Sequence, residues 1–486
     1  MSKKHRTPQA GPDGTAIETA AEAPRETAAE QALGQLLDEL LSALRAGDLL
    51  WAELATAQCI SLPGTEQDKS ATIFINMAAQ SRKPEDAALL RLIMALGSPA
   101  VKRAASQQLA NLTAAGIYPA DWVTAAGRAT PLQAWRHSDA FEETEVITVT
   151  YSYGGSEHAV AVTIEAVDLP LVISIRATDN LADVLPPSGY DREEEITLTE
   201  ARRRMQMALD LVLVDPEPSP LATAYLPVAR SRLRRLPAPE PLTGPAYSAA
   251  DRADLVDEFM KSLEAADAVA ADEDATRFWA QILTGYSSRI PDEPPGHVGP
   301  LRLEYILDHN VPAYFELTPA QRQHLQPAVA AWTSWSAACR GLDDKAGQLA
   351  SVLSAAAAGF DRQYDDPANA ASRSYLADVT SAAADLLWLR DNFMRRDLAM
   401  PVPGDRAARA YALDATTPDG RRAYTAEEFA ECPPPRGVTS EQLIAAAQRV
   451  VEELWSGEPP ATWLRAQQLR ETGTERHDII HSLMNL

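Results

Sequence analysis

The sequence predicts a mainly α protein with a small α+β module, in which helical hairpins or bundles surround a three-stranded antiparallel meander. Three observations predict it. Apolar residues recur at helical spacing along most of the chain, as in Leu33, Leu36, Leu37, Leu40, Leu41 and Leu44. Residues 145–175 alone switch to a period of two. Proline-rich breaks at 237–241, 401–403 and 433–435 punctuate the helical stretches. A chain of 486 residues is also too long for one core, and at about 100–200 residues per domain it divides into roughly three units.

Residues 1–28 are Ala, Glu, Thr, Pro and Gly with almost no large apolar side chains. Such a segment cannot offset the entropy of ordering, so a disordered tail is expected. Residues 29–137 form the first helical domain, with further periodic segments at 87–96, 101–112 and 120–126 and breaks at Gly116, Pro119 and Pro131. The α+β module follows at 142–236. Ile147, Val149, Tyr151 and Tyr153 alternate with Thr148, Thr150 and Ser152; beyond Gly154-Gly155, His158, Val160, Val162 and Ile164 share one face. That pattern predicts a hairpin, and Asp168-Leu169-Pro170 turns the chain into a third strand through Leu171, Ile173 and Ile175. So small a sheet needs a helix over its apolar face, and Leu198–Val214 is the nearest candidate.

Residues 237–244, beginning Pro-Ala-Pro-Glu-Pro, read as a stiff linker. A second helical domain at 245–400 carries segments at 251–268, 275–286, 319–339, 345–364 and 368–390, with Thr318 capping the entry at Pro319. The triplet Asp272-Glu273-Asp274 is charge suited to a helix N-terminus rather than a metal cluster. A C-terminal helical pair at 437–486, made of segments 440–455 and 459–486, closes the chain.

Charge bounds the partners. With 44 basic and 68 acidic residues the formal net charge is −24, a field that repels phosphate backbones and anionic lipid and argues against nucleic acid as the main partner. Two local reversals exist, Arg202 to Arg204 and then Arg230, Arg232, Arg234 and Arg235. Solvated helix faces and C-terminal turns favour cations on their own account. Cys59, Cys339 and Cys432 are odd in number and far apart, which fits a reducing cytosol and no disulfide framework. The opening Met-Ser-Lys-Lys-His-Arg has no apolar stretch behind it, and no run approaches the ~20 apolar residues of a spanning helix. A cytoplasmic protein without a membrane segment is the expectation.

Two groups of residues carry candidate chemistry. His158 shares its face with Val160 and Val162 and sits across a four-residue loop from Tyr153, near enough for a cross-strand pair, with Tyr151 also beside it. An imidazole there can serve as a general base or as a hydrogen-bonded core residue. Ser156 lacks the G-x-S-x-G context of an aimed nucleophile. His477 and His481 stand four residues apart, the spacing by which a helix offers two imidazoles to one zinc. Asp478 occupies the place of the glutamate in H-E-x-x-H, one methylene short, and no third ligand is evident in the sequence. The same spacing also packs His477, Ile480, His481 and Met484 against a neighbouring helix. No P-loop, G-x-G-x-x-G or C-x-x-C motif is present.

The run from Tyr151 through Gly154, Gly155 and His158 to Ile164 resembles a strand-turn-strand signature of uncharacterised cytoplasmic proteins of high-GC bacteria. The tail with Pro459, Trp463, Arg476, His477 and His481 resembles helical tails of bacterial domains without an established activity. The resemblance implies no catalytic residue. The functional expectation is an interaction or regulatory protein that binds a protein partner through helical grooves. The alternative is an enzyme, either a metal-assisted hydrolase using His477 and His481 or an acid–base catalyst using His158 with Tyr151 or Tyr153.

Overall fold

Helix begins earlier than composition suggests: α1 spans Ala23–Ala46, so residues 23–28, expected in a disordered tail, are helical. Ala, Glu and Gln are strong helix formers, and Pro24 sits in the first turn, where its missing N–H costs nothing. The computed structural model describes residues 23–61, 67–153, 155–167, 170–180, 190–212, 219–238, 247–286, 295–376, 386–400, 416–430, 432–471, 474 and 476–484. Residues 1–22, Gly154, Asp168, Leu169, Val214 and most of the expected linker lie outside them.

The first core gathers around α2, Leu49–Ile60, whose N-cap Asp48 accepts from Trp51 N at 3.1 Å. It packs against α1, α3 (Gln67–Ser81), α4 (Pro84–Leu96) and the helix Leu226–Leu233, while α5 (Pro99–Ala114) covers α3 and α4. The stretch 120–126 is a single 3₁₀ turn, Asp121–Ala125, not a helix of the bundle.

The sheet has five antiparallel strands, not three. They are β1 Thr130–Ser138, β2 Thr144–Ser152, β3 Glu157–Ala166, β4 Pro170–Thr178 and β5 Arg192–Ile196, in the order β4-β3-β2-β1-β5. The expected hairpin is β2–β3, but His158 stands opposite Tyr151 rather than the expected Tyr153, with Val149 opposite Val160, and β4 pairs with β3 as the third expected strand. β1 lies inside the stretch read as helical domain, and β5 is a run of glutamates. Both are held by charge as well as by backbone pairing. Arg136 on β1 bonds Glu145 on β2 at 2.7 Å, Glu194 on β5 at 2.9 Å and Glu142 at 3.3 Å. The apolar face is covered by α6, Leu198–Leu211, through Ala201, Met205, Ala208 and Leu209, as periodicity requires.

A second core is built from the helices Ala249–Phe259, Glu273–Tyr286, Leu325–Cys339 and Ala346–Tyr364 around Phe259, Trp279 and Trp332. The segments read as single helices at 251–268 and 319–339 break at Met260–Ala265 and at His324, and an unexpected irregular helical stretch occupies 300–314. The third core is larger than a helical pair. The helices Ser440–Ser456, Pro460–Glu471 and Arg476–Leu483 pack with Pro418–Phe429 and with Leu398, Ala399 and Met400.

A seam joins the sheet to the second core. Buried Glu143, beside β2, accepts from the backbone N–H of Gly299 at 2.9 Å and of Leu301 and Arg302 at 2.8 Å. Arg302 returns the contact, donating to Ala166 O at 2.8 Å, Val167 O at 3.3 Å and His297 O at 2.7 Å. A Cβ at Gly299 would fall 2.3 Å from Glu143 Cδ, so only glycine permits this approach. Burial pushes the Glu143 carboxyl up to about 7, against the pull of those amides. Among the described residues no helix is long and apolar enough to cross a membrane.

Candidate metal centre and a buried histidine cluster

The histidine pair is joined by a third side chain able to ligate a metal, which the sequence did not disclose. His477 and His481 lie on the helix Arg476–Leu483, and Cys432 follows the helix Pro418–Phe429, its N–H returning to Phe429 O at 3.2 Å just before Pro433-Pro434-Pro435. One ligand atom from each of the three residues lies within 4.8 Å of the others. Cys432 Sγ is 3.4 Å from His477 Nε2. Tetrahedral zinc, with bonds of about 2.3 Å to sulfur and 2.0–2.1 Å to nitrogen, separates two such ligands by about 3.5 Å.

The surroundings fit a ligand set. With Nε2 toward the thiol, His477 turns Nδ1 toward Glu428 Oε1 at 3.7 Å, the carboxylate–histidine arrangement that orients metal-bound imidazoles. Glu428 is itself gripped by Arg476, which also donates to Leu398 O at 2.8 Å and Ala399 O at 2.7 Å. Buried Phe429 forms the floor, stacked on His477 at 4.6 Å and tilted to His481 at 5.3 Å. Partial burial and the neighbouring His477 lower the pKa of His481, although Asp478 and Glu428 oppose the shift. The packing expected of this helix falls on Ile479, Ile480 and Met484, all buried, while the two imidazoles stand half-buried at the rim.

His158 has a different setting. It is 1% exposed and lies near the start of β3, facing the helix Leu226–Leu233, with its ring stacked on Tyr153 at 4.6 Å and Tyr151 at 5.6 Å. Its Nε2 accepts from Arg232 Nε at 3.0 Å. A guanidinium can only donate, so that nitrogen carries no proton and Nδ1 does. Arg232, on the helix Leu226–Leu233, also reaches Glu53 of α2 and the Tyr153 hydroxyl, and Glu53 takes the Gly127 N–H at 2.9 Å. Arg232 and Glu53 are fully buried. Burial, helped by Arg232, drives the His158 pKa down to about 3. The lone pair a general base would use is therefore occupied, and Tyr151 and Tyr153 are held protonated by burial.

The two arginine clusters are engaged within the chain. Arg203 and Arg204 bond Glu200, Arg204 bonds Glu145, and Arg202 donates to Leu236 O. In the second cluster Arg230 pairs with Asp210, while Arg234 and Arg235 donate to Ala95 O and Ala129 O. Glu53 and Arg232 were missed because one reads as a lone charge on an apolar helix and the other as a solvated C-terminal turn. Neither carries a motif. Comparison of the chain with family models, with curated proteins and with solved structures returns no match.

Proposed function

We propose that the protein is a zinc-binding protein in which Cys432, His477 and His481 ligate the ion and water takes the fourth position. That arrangement suits metal-assisted hydrolysis. The observation that supports it is the meeting of two imidazoles at helical spacing with a thiol 45 residues away in the chain. A soft thiolate with two imidazoles favours zinc over magnesium or calcium, and a reducing cytosol keeps Cys432 available.

Protein purified without a histidine tag and reconstituted with zinc is expected to retain close to one ion per chain after gel filtration, by elemental analysis. Cys432→Ser or His477→Gln should weaken zinc by more than the about 10–100-fold typical of losing an outer-shell partner, which is the effect expected for Glu428→Gln. In the cobalt-substituted protein, added azide should change the visible spectrum if the fourth position exchanges. Full-length, folded protein that retains no ion would reduce the cluster to a thiol–imidazole hydrogen bond on Phe429.

A second reading, an interaction protein that receives a partner helix, rests on α3. Ile73 and Met77 stand four residues apart there and are 53% and 46% exposed, a short apolar stripe of the kind a groove-binding helix covers. Replacing both by glutamate should abolish a stoichiometric co-purifying partner seen with the unaltered protein. Retention of that partner would remove the stripe from consideration.

A further inference from the structure

A second site lies at the opposite end of the molecule's chemistry, above the buried His158 cluster. A cavity of about 330 Å³ opens between the start of α2, the 3₁₀ turn Asp121–Ala125 and Ser156–His158 at the start of β3, with Leu49, Trp122, Tyr153 and His158 in its wall. Asp48, Glu157 and Asp179 also line it and are exposed. None of these three carboxylates has an ion pair among the described residues, and only Asp48 is also engaged as the cap of α2, so the mouth carries net negative charge over low-dielectric walls that concentrate its field. The floor adds no charge of its own: Arg232 and Glu53 neutralise one another, and His158 is neutral because Arg232 claims its Nε2.

A separate observation points to what enters. His158 Nδ1 must carry the ring proton, yet this buried donor has no acceptor among the described residues. His158 is part of the cavity lining, and an unsatisfied N–H there is a standing cost that a ligand oxygen at the floor would remove. Aromatic side chains beside an acidic mouth are the surroundings in which organic cations are held.

We propose that this cavity binds a small organic cation, a protonated amine that also bears an uncharged oxygen acceptor. Asp48, Glu157 and Asp179 neutralise the ammonium, Trp122 and Tyr153 form the aromatic wall beside its alkyl chain, and His158 Nδ1–H receives the oxygen. A carboxylate ligand is excluded by the same three charges. The site is independent of the zinc proposal, since it shares no residue with Cys432, His477 or His481.

Calorimetric titration of the full chain with N-acetylputrescine tests it, the probe having an ammonium at one end and an amide carbonyl at the other. Saturable one-to-one binding is expected, with a dissociation constant on the order of 0.1–1 mM for a ligand of about nine heavy atoms. It should weaken at least about 5-fold in a Glu157→Gln, Asp179→Asn double variant, whose changes are at exposed positions, and weaken further as salt is raised. Heptylamine, which lacks the acceptor, should bind several-fold less tightly, and N-acetyl-γ-aminobutyrate should not bind. Absence of saturable heat with N-acetylputrescine overturns the proposal, as does undiminished binding by the double variant. Heptylamine binding as tightly as N-acetylputrescine overturns the ligand class by removing any use for His158.

Discussion

Replacing Glu53 by alanine is expected to destabilise the first core by about 3–5 kcal/mol, the cost of leaving one member of a buried ion pair without its partner. Glu53 and Arg232 are both fully buried, and Glu53 also holds the Gly127 N–H and the Tyr153 hydroxyl. The substitution strands a guanidinium, a backbone donor and a phenol together. Its consequence extends across three elements, because the pair joins α2 to the helix Leu226–Leu233 and to the end of β2. Replacing Glu53 by leucine and Arg232 by methionine together should cost clearly less than Glu53→Ala alone, since no charge is then left in the interior. Urea unfolding followed by hydrogen exchange in α2 measures the effect locally, which matters in a chain with more than one core. A loss below about 1 kcal/mol in Glu53→Ala would mean that water reaches Arg232 and that the pair is not structural.

Acid is expected to weaken the same core through His158. Its folded pKa is depressed from 6.5 to about 3, so below pH 6.5 the unfolded chain takes up a proton that the folded chain refuses. Stability is therefore fully present above pH 6.5 and is lost as pH falls toward 3. Over the interval from 6.5 to 4 the loss is about 3 kcal/mol. His297 acts in the same direction: burial, then Arg340, lowers it to about 4. His158→Gln keeps an acceptor for Arg232 but cannot titrate. The stability difference between the unaltered protein and this variant should shrink or reverse between pH 7 and 4. Parallel pH profiles for the two proteins would show that His158 is protonated in the fold.

Sequence reasoning read the β2–β3 hairpin and the face each strand buries, but placed His158 across from Tyr153, whereas Tyr151 is its partner; alternation fixes the face and leaves a slip of two residues undecided. It read α6 as the cover because so small a sheet needs a helix over its apolar face and this helix is the nearest in the chain. β1 escaped because Pro131, Arg136 and His137 interrupt alternation, and its pairing is specified by the carboxylates around Arg136 rather than by an apolar stripe. β5, Arg-Glu-Glu-Glu-Ile, looks like a solvated acidic run until those partners are in place. The functional groups divide along the same line. His477 and His481 were visible because helical periodicity brings them together, whereas Cys432 and the Glu53–Arg232 pair meet across 45 and 179 residues, at distances where no local pattern survives.

The contact between Glu143 and residues 299–302 bears on how the polypeptide can be divided. The proline-rich stretch after residue 236 invites a cut that would separate the sheet from everything downstream. Such a cut would leave a carboxylate on one fragment facing no amides, and on the other a helix start whose N–H groups have lost their acceptor. Fragments chosen from covalent order alone would thus each expose a raw polar edge, and a workable division must keep Glu143 and Gly299 on the same piece.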